Sequence, residues 1–181
     1  MKKEINRILN FWFKECNPKD WFKKDECFDN QIKINFGEQI EEAVLGYYNH
    51  WAKSLESSLA LIILTDQFTR NVFRGTPRSF SGDTLALNTC LHCLNTFDIS
   101  QQNREKAHFT LIPLMHSENL RIQEMSLPLF RARTSDKVYQ YALKHKNIIA
   151  RFGRFPHRNA ILGRTSTASE LEFLKSPGSS F

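Results

Sequence analysis

The stretch SLALIILTDQFTRNVF, residues 58–73, decides the fold of this 181-residue chain. Residues 59–64 are apolar all round a helix at about 100° per residue, so the sequence predicts a helix buried on every side. Ser57 or Ser58 is suited to cap this helix, and we expect it to run to about Phe73. A helix of this kind needs other helices to cover it, which places it at the centre of the molecule.

Helical spacing extends from this stretch towards both ends of the chain. Apolar residues recur every four positions from Phe28 to Val44, and further helical patterns cover roughly 103–116, 118–132 and 135–152. No segment alternates polar and apolar residues as a half-buried strand would. We therefore predict an all-α fold: one domain, residues 1–181, of seven or eight antiparallel helices.

Local signals indicate where some of these helices begin or break. Pro113 and Pro128 fall inside helical patterns, where each removes a backbone hydrogen bond, so we expect kinks or breaks there. The sequence Thr167-Ala-Ser-Glu170 is a capping box that opens a short last helix.

Composition narrows the class of protein. Hydrophobic residues make up 41% and charged residues 24% of the chain, which is typical of a globular domain and excludes a disordered one. Residues 59–64 form the longest apolar run, too short to cross a membrane, and no secretory apolar region follows Met1. We expect a cytosolic protein without a membrane partner. Its four cysteines should then be reduced core residues rather than disulfides or a zinc site; they are Cys16, Cys27, Cys90 and Cys93.

The net charge of +6 is concentrated near the C-terminus. No acidic residue lies between Lys137 and Ser169, so the rest of the chain is nearly balanced. The seven basic residues of this segment are Lys137, Lys144, Lys146, Arg151, Arg154, Arg158 and Arg164. Such a segment favours phosphate, carboxylate or nucleic-acid partners, although a solvated basic face is the alternative.

Two groups of residues are candidates for binding an anion. In the central helix, five polar residues fall on one arc at helical spacing: Asp66, Gln67, Arg70, Asn71 and Arg74. They either pair with one another or line a pocket. The second group lies in the sequence RFGRFPHRN, residues 151–159, where Gly153 and Pro156 end a helix. Its donor-rich side chains suit bidentate recognition of phosphate or carboxylate, or else brace the loop: Arg151, Arg154, His157, Arg158 and Asn159.

Histidine and carboxylate pairs are the weak candidates for catalysis. His116 or His157 would act as acid or base, oriented by Asp66 or Glu118. His116 and Glu118 could equally cap a turn, or supply two metal ligands that would need a third from His157 or Asp83. We expect His145, on an apolar helix face, to be a satisfied core residue. We assign no metal site, and the cofactor and oligomeric state stay open.

Several segments, read in order, resemble one bacterial family, the domain of unknown function numbered 924. They are LNFWF (9–13), WF (21–22), FD (28–29), LTDQFTRN (64–71), PLMHSE (113–118), RFGRFPHRN (151–159), ILGR (161–164), ST (166–167) and FLKSPGSSF (173–181). The resemblance implies an all-helical, tetratricopeptide-like fold and no particular reaction.

The chain departs from the family pattern at three positions. Thr69 stands where the family usually has Pro, Ile122 where it has an acidic residue, and Asn147 where it has Asp. Losing two acids makes a carboxylate-dependent mechanism harder to place at those sites, whereas the arginine-rich segments are intact.

Three functions fit these observations. The first is binding of a small anion between Arg70, Asn71 and Arg74 on one side and the 151–159 loop on the other. The second is a hydrolase or transferase acting on a phosphorylated substrate. The third is RNA or other nucleic-acid binding by the basic segment 137–164.

Overall fold

The computed structural model describes residues 1–180, so Phe181, the last residue of the FLKSPGSSF segment, lies outside it. The eight helices are α1 (Lys2–Asn10, continued by a π-helical turn, Phe11–Glu15), α2 (Glu26–Val44), α3 (Leu55–Ile62, a π-helical segment Ile63–Phe68, then Thr69–Val72), α4 (Asp83–Thr96), α5 (Arg104–His116), α6 (Leu120–Arg133), α7 (Asp136–Phe152) and α8 (Ala168–Leu174). The described residues contain no strand, so the all-α prediction is confirmed.

Helix α3 runs through the middle of the packed helices. Every residue from 57 to 69 is buried, and α1, α2, α4 and α5 all contact the helix. The capping residue is Ser54, whose side chain accepts a hydrogen bond from the Ser57 amide at 3.2 Å. The helix therefore begins one turn earlier than Ser57 or Ser58 suggested, because both of those serines are buried inside it.

The two internal prolines do not break their helices. Pro113 lies within α5 and Pro128 within α6, and both helices continue past them. A proline costs about 3 kcal/mol in an isolated helix, but α6 packs along both α5 and α7. Gln123 of α6 also donates hydrogen bonds to the carbonyls of Met115 and Ser117, which fixes the end of α5. Of the two expected outcomes, a kink or a break, the break did not occur, because this packing outweighs the lost backbone bond.

Aromatic rings fill the core around α1, α2 and α3. The Trp12 ring lies 5.5 Å from that of Phe68, and the Trp21 ring lies 4.8 Å from that of Phe109. The Trp21 indole donates a hydrogen bond to the Trp12 carbonyl at 2.9 Å. Because this hydrogen bond satisfies the indole N–H of Trp21, the ring packs in the core without leaving a buried donor unpaired.

The four cysteines are all free. Cys90 and Cys93 are buried on α4, where burial raises the pKa of both thiols. Cys16 is half-buried and Cys27 is exposed. The expectation of core cysteines is right for the α4 pair and wrong for Cys27, which lies in the first turn of α2 on its solvent side. No helix among residues 1–180 is both long and apolar enough to cross a membrane.

Candidate functional site

The candidate site is built on the π-helical segment of α3. Segments of this kind interrupt the regular backbone ladder and occur frequently at functional sites. Two threonine hydroxyls satisfy carbonyls here: Thr65 donates to Leu61 at 2.8 Å, and Thr69 donates to Thr65 at 2.9 Å. The segment thereby holds one carboxylate, that of Asp66, wholly inside the protein.

Asp66 is the centre of a buried polar cluster. One carboxylate oxygen lies 2.8 Å from Nδ1 of His116, which comes from the end of α5, and 3.2 Å from Nη1 of Arg70. The Gln67 amide donates to the other oxygen at 2.5 Å. Burial acts to raise the pKa of Asp66, but Arg70 and His116 together hold that pKa below its usual value. Asp66 is therefore an anion that orients His116.

Two arginines far apart in sequence converge beside this pair on Asp83, the first residue of α4. Arg70 donates to Asp83 at 3.0 Å, and Arg158 donates to the same carboxylate oxygen at 3.3 Å. The Arg158 guanidinium lies 4.7 Å from the Phe80 ring centre and 4.6 Å from that of Phe155. Planar guanidinium groups stack well on such rings, so two aromatic side chains fix the orientation of Arg158.

Arg158 is incompletely satisfied. It is 6% exposed, and its second terminal nitrogen donates to the His116 carbonyl at 3.1 Å. Its Nε is buried and has no hydrogen-bond partner among the described residues. Burial, followed by repulsion from Arg70, lowers the pKa of Arg158 to about 10 despite the nearby Asp83. The site therefore has one buried donor that no described residue satisfies.

Gly82 places Asp83 against the π-helical segment. A Cβ on Gly82 would lie 2.1 Å from the carbonyl oxygen of Thr65, closer than any side chain can approach. The φ of Gly82 is −95°, so it is this contact and not backbone strain that requires glycine. Sequence reasoning missed Gly82, whose role depends on a contact with a distant segment, and considered Asp83 only as a possible metal ligand, not as the carboxylate that two arginines share.

The histidines around the cluster are largely desolvated. Burial is the main cause that lowers the pKa of His108 and His157 to about 4 and that of His145 to about 3. Burial also lowers the pKa of His116, against the opposing effect of Asp66. These rings are therefore neutral near pH 7. Nδ1 of His145 donates a hydrogen bond to the Tyr141 carbonyl at 2.8 Å, as expected for a satisfied core histidine.

Glu118 does not orient His116. Its carboxylate accepts two hydrogen bonds from Arg164, at 2.7 and 3.0 Å, and one from the Phe155 amide at 2.8 Å. Burial acts to raise the pKa of Glu118, but these bonds and the Arg164 charge lower it. Glu118 thus braces the 151–159 loop, and Asp66 is the carboxylate that pairs with His116.

The other predicted ligand-binding residues lie apart from this cluster. Asn71 and Arg74 both donate to Asp29 of α2, at 2.7 Å. Because the π-helical turns contain more residues than α-helical ones, the arc expected for Asp66 to Arg74 is divided between two neighbours. Arg70 faces Asp83, whereas Asn71 and Arg74 face Asp29.

The predicted ligand-binding residues of the 151–159 loop also have separate partners. Arg154 forms a bidentate ion pair with Glu170, at 2.7 and 2.8 Å, and also donates to the Thr165 carbonyl. Asn159 donates to the Ser166 hydroxyl at 3.0 Å. Arg151 is exposed and lies over the Phe152 ring. Of the predicted loop residues, the structure brings Arg158 to the Asp66–His116 pair. The pKa of His157 is lowered mainly by burial and then by the charges of Arg158 and His116, so His157 also lies near the cluster.

Two open concavities lie along α7 and its C-terminal loop. The larger, about 420 Å³, is lined by Arg151, Phe152, Arg154, Thr167, Ser169 and Glu170. The smaller, about 200 Å³, is lined by Lys137, Gln140, Tyr141 and Lys144. Neither lining includes Asp66, Arg70, His116 or Arg158. Among residues 1–180, no three His, Cys, Asp or Glu side chains are arranged to hold a metal ion, so His116 and Glu118 do not form one with His157 or Asp83.

Comparison with known proteins identifies the family but no reaction. The chain is 33% identical to ATU0120, a protein of unknown function from Agrobacterium tumefaciens whose structure is solved; the match covers 96% of this chain and 98% of that chain with a TM-score of 0.90. No curated protein matches significantly. The model of the family described as bacterial protein of unknown function, DUF924, matches residues 8–178. The chain therefore belongs to the DUF924 family of bacterial proteins.

Proposed function

We propose that the protein binds a small oxyanion, phosphate- or carboxylate-bearing, between Arg70 and Arg158 beside His116. The observation that carries the proposal is the buried Nε of Arg158, a donor without a partner on a residue whose other nitrogens are already oriented. An unpaired buried donor costs about 1–3 kcal/mol, which an oxyanion acceptor would recover. Arginine, with its planar fork, is the residue best suited to that role.

Electrostatics support the same location. The pKa of Arg158 is lowered, mainly by burial and then by repulsion from Arg70, and a bound anion would stabilise its charged form. Arg70 and Asp83 have 21% and 24% of their side-chain surface exposed, and His116 has 15%. The cluster is thus partly open to solvent. In this proposal Asn71, Arg74, Arg154 and Asn159 support the site through their own partners.

A second candidate function, acid–base catalysis on the bound anion, is favoured by the Asp66–His116 pair. A buried carboxylate that accepts from one ring nitrogen fixes the tautomer and leaves the other nitrogen, Nε2, for proton transfer. The lowered pKa of His116 makes its ring neutral at pH 7 and therefore able to act as a base. This is the arrangement that a hydrolase or transferase acting on a phosphorylated substrate would use.

Calorimetric titration with inorganic phosphate, and separately with acetate, tests the proposal. We expect saturable one-to-one binding of at least one of the two by the wild-type protein and at least a tenfold loss of affinity in Arg158→Gln, equivalent to roughly 1.4 kcal/mol. Arg78→Gln, which removes an exposed arginine paired with Glu41, is the matched control and should bind normally. Equal affinity in both variants, or no saturable heat with either anion, would contradict the proposal.

The catalytic candidate has its own test, proton linkage. An anion next to His116 raises the pKa of that histidine, so binding near pH 6 should take up protons. Phosphate titrations in buffers of different ionisation enthalpy measure this uptake. We expect it in the wild type and not in His116→Asn; an unchanged uptake in the variant would remove His116 from the candidate mechanism.

The resemblance and the composition lead to three further expectations, which we include in the proposal. We expect a single domain of residues 1–181, a tetratricopeptide-like helical arrangement and a cytosolic location. The match to ATU0120 over nearly the whole chain supports one folded unit. Limited proteolysis of the purified protein tests it: resistant fragments of less than full length would indicate separate units.

A further inference from the structure

The basic residues of the C-terminal segment are of two kinds, those that form an ion pair with a carboxylate and those that do not. Arg154, Arg158 and Arg164 each pair with a carboxylate, from Glu170, Asp83 and Glu118 respectively. By contrast, Lys137, Lys144 and Arg151 are exposed and have no ion pair among the described residues. The positive field that reaches solvent from this segment therefore comes mainly from α7.

These three cations form one stripe. They are spaced seven residues apart, so at about 100° per residue they lie within an arc of about 40° on the exposed side of α7. With a rise of about 1.5 Å per residue, the stripe is about 21 Å long. Of the buried residues of α7, Ala142 and Ile149 lie on the side opposite the stripe, whereas His145 lies to one side of it and Ile148 borders it. The stripe is therefore on a helix whose other faces pack against the protein.

Aromatic rings and concavities accompany the stripe at both ends. Tyr141 is 41% exposed, lies under the Lys144 ammonium at 5.4 Å, and lines the 200 Å³ concavity with Lys137 and Lys144. At the other end, Arg151 and Phe152 line the 420 Å³ concavity together with Thr167, Ser169 and the Arg154–Glu170 ion pair. Cations and rings side by side on an exposed surface are what single-stranded nucleic acids need for phosphate contact and base stacking.

We infer that the exposed side of α7 binds single-stranded RNA, with Lys137, Lys144 and Arg151 contacting phosphates and Tyr141 stacking on a base. An anionic membrane surface fits less well, because the apolar side of α7 faces the core. The inference is independent of the oxyanion site, whose arginines are paired inside the protein.

Fluorescence anisotropy with a labelled polyuridylate of about twelve nucleotides tests this, because single-strand binders cover sites of that order. We expect affinity to fall with salt and the logarithmic slope to decrease by about 2 in the triple variant Lys137→Gln, Lys144→Gln, Arg151→Gln, since each phosphate contact contributes about 0.7. Tyr141→Ala should lower affinity by about fivefold or more without changing the slope. Circular dichroism confirms that each variant is folded.

The control removes the same charge from exposed lysines elsewhere: Lys3→Gln, Lys33→Gln, Lys53→Gln. This variant should retain most of the affinity and the salt slope, as should Arg158→Gln. Equal losses in the two triple variants would overturn the inference, because they would show a net-charge effect alone. Absence of binding at about 50 mM salt, or binding to phosphatidylserine vesicles but not to RNA, would overturn it as well.

Discussion

At the scale of single residues, the site depends on the carboxylate of Asp66. It is fully buried and contacts an imidazole, an amide and a guanidinium. Asp66→Asn keeps the shape but removes the fully buried charge that faces Arg70 and His116, so that Arg70 keeps only Asp83 as a carboxylate partner. We expect a loss of about 3 kcal/mol in the free energy of unfolding, measured by urea denaturation.

The control for this variant is Asp29→Asn. Asp29 also pairs with an arginine, Arg74, but that arginine is 36% exposed. Because solvent screens such a pair, we expect a loss of about 1 kcal/mol or less. If the two variants lose the same stability, the special role given to Asp66 is wrong.

Gly82 provides a second test at a single position. Gly82→Ala would put a methyl group against the Thr65 carbonyl, and the backbone must move to relieve the contact. We expect a loss of about 1–3 kcal/mol, as for other overpacked positions, together with weaker phosphate binding as Asp83 shifts. Gly37→Ala, in the open middle of α2, should instead stabilise the protein by up to about 1 kcal/mol. Stability unchanged in Gly82→Ala would contradict the close contact.

Among the secondary-structure elements, α8 is tied to the 151–159 loop. Thr167 and Glu170 form the predicted capping box, and the same glutamate accepts the bidentate pair from Arg154. Hydrogen bonds from Arg154 and the Thr167 amide lower the pKa of Glu170 to about 2. Arg154 is therefore a strut between loop and helix, paired with Glu170 rather than with Asp66 or Glu118.

This role predicts the effect of Arg154→Lys. Lysine keeps the charge but cannot reproduce the two parallel bonds, so the urea midpoint should fall. Arg151→Lys, at an exposed arginine of the same loop, should leave the midpoint unchanged. Phosphate affinity should be retained in both variants. A large loss of phosphate affinity in Arg154→Lys would return Arg154 to the ligand-binding set.

A secondary-structure element could be predicted where the residues that cause it lie within its own sequence. The helices of 135–152 and 167–174 follow from spacing and capping residues, and the structure confirms them. The π-helical segment Ile63–Phe68 could not be predicted, because it depends on threonine hydroxyls and on Gly82 meeting the backbone from another element. The convergence of Arg70 and Arg158 was predicted, but the carboxylate they share was not.

At the scale of the whole molecule, the desolvated histidines make stability depend on pH. The pKa values of His108, His145 and His157 are lowered to between about 3 and 4 in the folded protein. The unfolded chain, with histidine pKa values near 6.5, then binds more protons below that pH. Stability should fall as the pH falls from about 6.5 to 4, each histidine contributing up to about 1.4 kcal/mol per pH unit.

Urea denaturation at a series of pH values measures this slope. His145→Gln should reduce it, whereas His50→Gln, at an exposed histidine, should leave it unchanged. Below pH 4 the lowered pKa values of Glu118 and Glu170 add a further loss as these carboxylates become protonated. Stability independent of pH between 6.5 and 4 would show that the histidines are hydrated.

The most direct test of the oxyanion site is nuclear magnetic resonance of the six histidine rings, labelled with nitrogen-15, during a phosphate titration at constant ionic strength. We predict saturable shifts of His116 and His157, with the affinity measured by calorimetry, while the exposed rings of His50 and His92 stay fixed. If the His116 ring does not respond, or if all the rings shift together without saturation, no oxyanion binds between Arg70 and Arg158.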